Sequence, residues 1–153
     1  MSTLWSKPSL SWLILVLVAL ALPVWLSGRM AAGNVQDVAE IQTNPQGERA
    51  ACTMVITLAD GRIYPVNYLR EGNLVFMGID GRWWRVFVDG DASAQMLIQG
   101  QRLSGHARVV LDDQAYVDEI FARLRPKAPS WLPAWLNAKL LVITLDAMPN
   151  ETT

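Results

Sequence analysis

The sequence predicts a mainly-β (α+β) chain: a small antiparallel barrel with one amphipathic helix, preceded by an apolar N-terminal segment. Three observations carry that expectation. From Ala50 onward apolar and polar residues alternate with period two. Gly-containing turn dipeptides interrupt the alternation at regular spacing. Once, after Asp112-Asp113, the period lengthens to that of a helix.

At 153 residues the chain has room for one domain and little else. A formal net charge of −1 supplies no basic field for nucleic acid. Hydrophobic residues make up 52%, and the excess is concentrated in Leu10 to Leu26, "LSWLILVLVALALPVWL", which carries no charged side chain. A run of this length meets the short limit of about 17 residues for a spanning helix. Trp5, Trp12 and Trp25 flank or end it, where amphipathic rings favour the lipid–water boundary, and Pro23 lies near its end. The alternative is a cleaved signal peptide. Its apolar core would be shorter, about 7–15 residues, and the small-residue site here, Ala31-Ala32-Gly33, lies well beyond the core. The expectation is therefore a flank at residues 1–9 and a single-pass membrane anchor at 10–27, with the lipid bilayer as partner. Lys7 and the amino terminus make the first flank the more basic, which favours an extracytoplasmic domain.

Residues 28–49 are polar, carry Asn44-Pro45 and Gln46-Gly47, and read as a linker with one short element around Val35 to Ile41. The barrel is expected at 50–147 and a tail at 148–153. In "CTMVITLA", Cys52, Met54, Ile56 and Leu58 share one face, so Cys52 reads as a buried thiol. As the sole cysteine it can form no internal disulfide. Asp60-Gly61 supplies a tight hairpin turn into "RIYPVNYLR". Pro65 cannot donate to a ladder, so this strand is an edge or bulged there. Glu71-Gly72-Asn73 turns into "LVFMGI", and Asp80-Gly81 turns into "GRWWRVFVDGD", taken as a further strand. On a strand Trp83 and Trp84 would point to opposite faces, leaving one indole for a partner or a flat ligand. "MLIQ", Gly100 and "RLSGHARVVL" form another hairpin.

Asp112-Asp113 can cap a helix through "QAYVDEIFARLR", with Val117, Ile120, Phe121 and Leu124 at helical spacing and Arg123 and Arg125 at its negative end. Pro126 and Pro129 stop it. Trp131 and Trp135 in "SWLPAWLNA" share a face that covers the barrel mouth or dips into the lipid interface. "KLLVITLDA" reads as the closing strand. His106, the only histidine, shares a solvent-facing side with Ser104 and Arg108, and supports neither a metal nor a catalytic triad. No metal is expected.

Three stretches, "DGRIYPVNYLREGNLVF", "GRWWRVFVDGD" and "LIQGQRLSGHARVVLDD", resemble the deazaflavin-dependent nitroreductase family. Its split β-barrel is shared with flavin-binding proteins related to pyridoxamine-phosphate oxidase. The likeness runs from Ala50 to Ala147, and Trp83-Trp84-Arg85 is its most specific part. It implies a split antiparallel barrel and a homodimer with ligand sites between subunits. It also implies FMN or the deazaflavin coenzyme as cofactor, bound by Arg62, Asn67, Trp84 and Arg85, with Tyr68 as the catalytic residue that donates a proton or orients a substrate. The implied activity is an oxidoreductase reducing nitro compounds or quinone-like molecules, and the apolar segment, extra to the family's soluble members, would anchor it to the membrane. The chain departs from the pattern after its first strand. Asp60-Gly61-Arg62-Ile63 replaces a Gly-Arg-Lys/Arg-Ser-Gly loop, so a carboxylate stands where phosphate donors cluster. Val86 also replaces an Asn. That departure leaves a second expectation open: a cofactor-free barrel acting as a binding or assembly module at the membrane.

Overall fold

The computed structural model describes residues 33–126 and 138–147, with Ala19 alone before them. Six strands among these residues are β1 (Thr53–Thr57), β2 (Ile63–Glu71), β3 (Leu74–Ile79), β4 (Ala92–Ile98), β5 (Gln101–Val110) and β6 (Lys139–Leu145). They close in the order β1-β2-β3-β6-β5-β4, every pair antiparallel, with β4 returning onto β1 through Val55↔Leu97 and Thr57↔Gln95. Closure removes the free edges that an open sheet of this size would present. β3 pairs with β2 only from Tyr68 to Glu71, whereas β1 pairs with it from Ile63 to Asn67. Pro65 thus sits where β2 has a neighbour on one side alone, as its missing N–H requires.

The alternation in the sequence is the alternation of barrel inside and outside. Met54 and Ile56 of β1, Val75 and Met77 of β3, Met96 and Ile98 of β4, and Leu141 and Ile143 of β6 form one interior cluster. β3 and β6 are buried on both faces, which is why they read as unbroken apolar runs. Phe76, Leu140 and Val142 point outward beneath the helix α3 (Gln114–Leu124) and meet Val117, Ile120 and Phe121. Asp113 caps that helix, accepting a hydrogen bond from the Tyr116 N–H at 2.9 Å.

Two helical segments precede the barrel: residues 33–43 (α1) and Glu48–Cys52 (α2). The stretch read as a linker with one short element is therefore largely helical. Ile41 and Ala50, both fully buried, pack on Val55 on the outer face of β1. The helix also corrects the reading of Cys52. The strand starts at Thr53, Cys52 is the last residue of α2, and its thiol is exposed, approaching the Glu48 and Arg49 carbonyls.

A second correction concerns "WWRVF". Trp83–Phe87 is a 3-10 turn, held by Arg85 N–H to the Arg82 carbonyl at 3.3 Å and Val88 N–H to the Arg85 carbonyl at 3.5 Å. Strand propensity of aromatic and β-branched residues suggests β here, but burial decides otherwise. The turn brings Trp83, Trp84 and Phe87 against the same interior cluster, which an alternating strand could not do.

The expected membrane anchor at 10–27, its signal-peptide alternative and the Trp131–Trp135 face lie outside the described residues. Among those described, no helix is long and apolar enough to cross a membrane.

Candidate functional site at one end of the barrel

Antiparallel pairing puts the end of β1, the start of β2, the end of β3 and the start of β4 at one end of the barrel. The β1–β2 turn and the long β3–β4 connection meet there. Gly61, at φ 84°, makes the first turn, with its N–H donating to the Leu58 carbonyl at 2.9 Å. Tyr64 points inward from β2 and lies flat on Trp83, centroids 4.7 Å apart and planes 11° from parallel. Trp83 in turn meets Phe87 edge to face at 6.1 Å. These contacts consume Trp83 in the plug of the barrel mouth. Trp84 is half-buried, and the Arg85 guanidinium stands over its ring at 5.8 Å from the centroid. That side chain is the aromatic at this end with a face not taken by another ring among the described residues.

Arg62 does not project freely. Its Nε donates to Asp60 Oδ2 at 2.7 Å, its backbone N–H to Asp60 Oδ1 at 3.1 Å, and Nη1 to Tyr64 Oη at 3.3 Å. The Arg62 side chain and backbone bonds hold the Asp60 carboxyl below the usual carboxylate range, and Asp60 raises Arg62 in return. A ligand phosphate would have to compete with that carboxylate.

Asn67 and Tyr68 are separated by the pleat of β2. Asn67 faces outward, exposed, and accepts a hydrogen bond from the Thr53 hydroxyl at 3.0 Å. Tyr68 faces the interior cluster, half-buried, and burial pushes its phenol above the ordinary value. It lies four residues along the same face as Tyr64, roughly 13 Å at about 3.3 Å per residue. The barrel end thus unites Arg62, Trp84 and Arg85, with Tyr68 deeper along the strand and Asn67 on the other side of the sheet.

The sequence reading left Tyr64 out of the site and noted the Asp60 carboxylate without its pairing to Arg62, although both stand within two residues of Arg62. His106 has two carboxylate neighbours besides the Ser104 and Arg108 of its own strand face. Its Nδ1 lies 2.9 Å from Asp91 and its Nε2 3.6 Å from Asp146, contributed by the connection before β4 and the segment after β6. Sequence distance hides both. Among the described residues no group of three His, Cys, Asp or Glu side chains is placed to hold a metal ion.

Two solved structures are similar in shape to this chain. A general stress protein 26 from Jannaschia sp. CCS1 superposes with a TM-score of 0.45 at 14% identity, over 72% of this chain and 74% of that one. An FMN-binding protein from Syntrophomonas wolfei subsp. wolfei superposes with a TM-score of 0.35 at 10% identity, over 82% of this chain and 93% of that one. Likenesses at this level assign neither activity nor ligand. No protein-family model matches the chain, and no curated protein matches it.

Proposed function

We propose that this barrel binds a flavin-type cofactor, FMN or the deazaflavin coenzyme, at the Trp84–Arg85 end and serves as a membrane-anchored oxidoreductase for nitro compounds or quinones. The observation that carries it is the Tyr64–Trp83 stack, which joins the Asp60–Tyr68 stretch to the Trp-Trp-Arg stretch at one site. The residues fit the ring of such a cofactor better than its phosphate. Trp84 offers an aromatic face and Arg85 a planar cation beside it, whereas Arg62 is already paired with Asp60. A bound flavin would supply hydride transfer. The chain's own residues would orient the ring through Trp84, pair an anionic group through Arg82 and Arg85, and hold a proton on the Tyr68 phenol. The apolar segment Leu10 to Leu26 suits a lipid-soluble acceptor and an extracytoplasmic, dimeric barrel held at the bilayer.

The Asp60–Arg62 pair favours one alternative: a barrel without cofactor that serves as a binding or assembly module. Trp84→Ala and Arg85→Ala separate the two. In the oxidoreductase both changes strip a co-purifying chromophore while far-UV circular dichroism is unchanged. In the module they leave a colourless protein colourless and weaken self-association or partner binding.

A further inference from the structure

A second concave surface lies on the barrel's outer face. It is a groove of about 800 Å³ across β1, β4 and β5. Strand register lays two rows of outward side chains across its floor. One runs Thr57–Gln95–Ser104 and the other Val55–Leu97–Arg102. Neighbouring strands stand about 4.8 Å apart and alternate residues about 7 Å apart, so the floor is roughly 10 Å by 7 Å, the size of a small ring system. One row is uncharged and rich in hydrogen-bonding groups; the other grades from aliphatic to cationic.

One wall is fixed rather than loose. Gln46 Nε2 donates to the Gln99 carbonyl at 3.1 Å, and Pro45 packs so close to Gly100 that an added Cβ there would meet it at 3.0 Å. Gly100 has φ +83°, which closes the β4–β5 turn beneath Pro45. The charge pattern is more specific than the shape. The chain carries 14 Asp and Glu, yet among the described residues no carboxylate lines the groove and Arg102 is the one cation that does. Among the described arginines, Arg49, Arg62, Arg123 and Arg125 pair with carboxylates, and Arg102 is one of five that pair with none, the one of them that lines this groove.

We propose that this groove binds a small organic monoanion with an apolar body. The body lies on Leu97 and the exposed Ile63 at the groove's side, Arg102 holds the anionic group, and Gln95 and Ser104 complete its hydrogen bonds. An acid-free groove with one unneutralised guanidinium favours a single negative charge and repels cations. Arg62, Trp84 and Arg85 take no part in it, so this site stands or falls separately from flavin binding.

The test uses a matched pair of probes, naphthalene-2-sulfonate and its neutral analogue naphthalene-2-sulfonamide. Each is titrated into full-length protein in mild detergent by saturation-transfer NMR, against protein-free detergent. The sulfonate should bind saturably and about fivefold or more tighter than the sulfonamide. Arg102→Gln should erase that preference and Arg102→Lys should keep part of it. Gln95→Glu should weaken the sulfonate and spare the sulfonamide. Equal affinities, no saturable binding, or an indifferent Arg102→Gln would overturn the proposal. So would an Arg102→Gln variant that changes the mass in sedimentation and not sulfonate binding, because the face would then join two copies of this chain.

Discussion

Tyr64 and Trp83 lie face to face at 4.7 Å, and between them they close one end of the barrel. Tyr64 comes from the second strand and Trp83 from the turn after the third. The stack therefore fixes where the Trp-Trp-Arg segment sits. Removing it should be felt as stability. Trp83→Ala should cost about 2–4 kcal/mol by loss of packing. A double-mutant cycle of Tyr64→Leu and Trp83→Leu should show a coupling of about 1 kcal/mol. Urea denaturation measures both, and additive single changes would mean that the rings merely neighbour one another.

Gly105 leaves no room for a side chain against β6. A Cβ there would stand 2.5 Å from the Thr144 carbonyl oxygen and 3.0 Å from Ile143 Cγ2. Backbone cannot step aside as a side-chain tip can. Gly105→Ala should destabilise the barrel by about 3 kcal/mol, seen as a lowered Tm, although alanine ordinarily favours ordered structure over glycine.

Tyr68 should be recognisable by its titration. Burial raises its folded-state value, so its contribution to stability is complete below the unfolded value near 10. That contribution is lost as pH rises through the higher folded value. Tyr68→Phe should flatten the alkaline fall in denaturation midpoint, and remove a phenol that titrates above the ordinary value from the alkaline absorbance change.

Asp60 behaves in the opposite sense. Arg62 depresses its folded value, so its contribution is present above the unfolded value and fades as pH falls through the folded one. Both side chains are exposed, and the effect on stability is small. Asp60→Asn should abolish that acid-range dependence. It should also release Arg62, tightening FMN about threefold while leaving riboflavin, which has no phosphate, unchanged.

Strands and helix were largely legible because their burial follows from period. Met54, Ile56 and Leu58 alternate, Val117, Ile120 and Phe121 recur at helical spacing, and Asp113 announces its helix. What escaped were places where a tertiary demand outweighs a local one. Trp83, Trp84 and Phe87 must all reach one barrel mouth, so the chain coils where its composition favours a strand. Cys52 fits the strand's rhythm but falls one residue before it, in a helix packed on the outer face. At the candidate site, Arg62, Trp84 and Arg85 are expectations that came from likeness of sequence. That Asp60 occupies Arg62, that Asn67 faces away from Tyr68, and that Arg102 lines a groove of its own all depend on register, which no single segment contains.

The most direct measurement is a titration of the full-length protein, in mild detergent, with FMN and with the deazaflavin coenzyme, followed by absorbance and flavin fluorescence. The Trp84–Arg85 account predicts saturable binding of one of them, with a Kd on the order of micromolar, and quenched ring fluorescence from stacking on an indole. A protein that stays colourless and leaves both spectra unchanged would contradict it and point to the cofactor-free barrel.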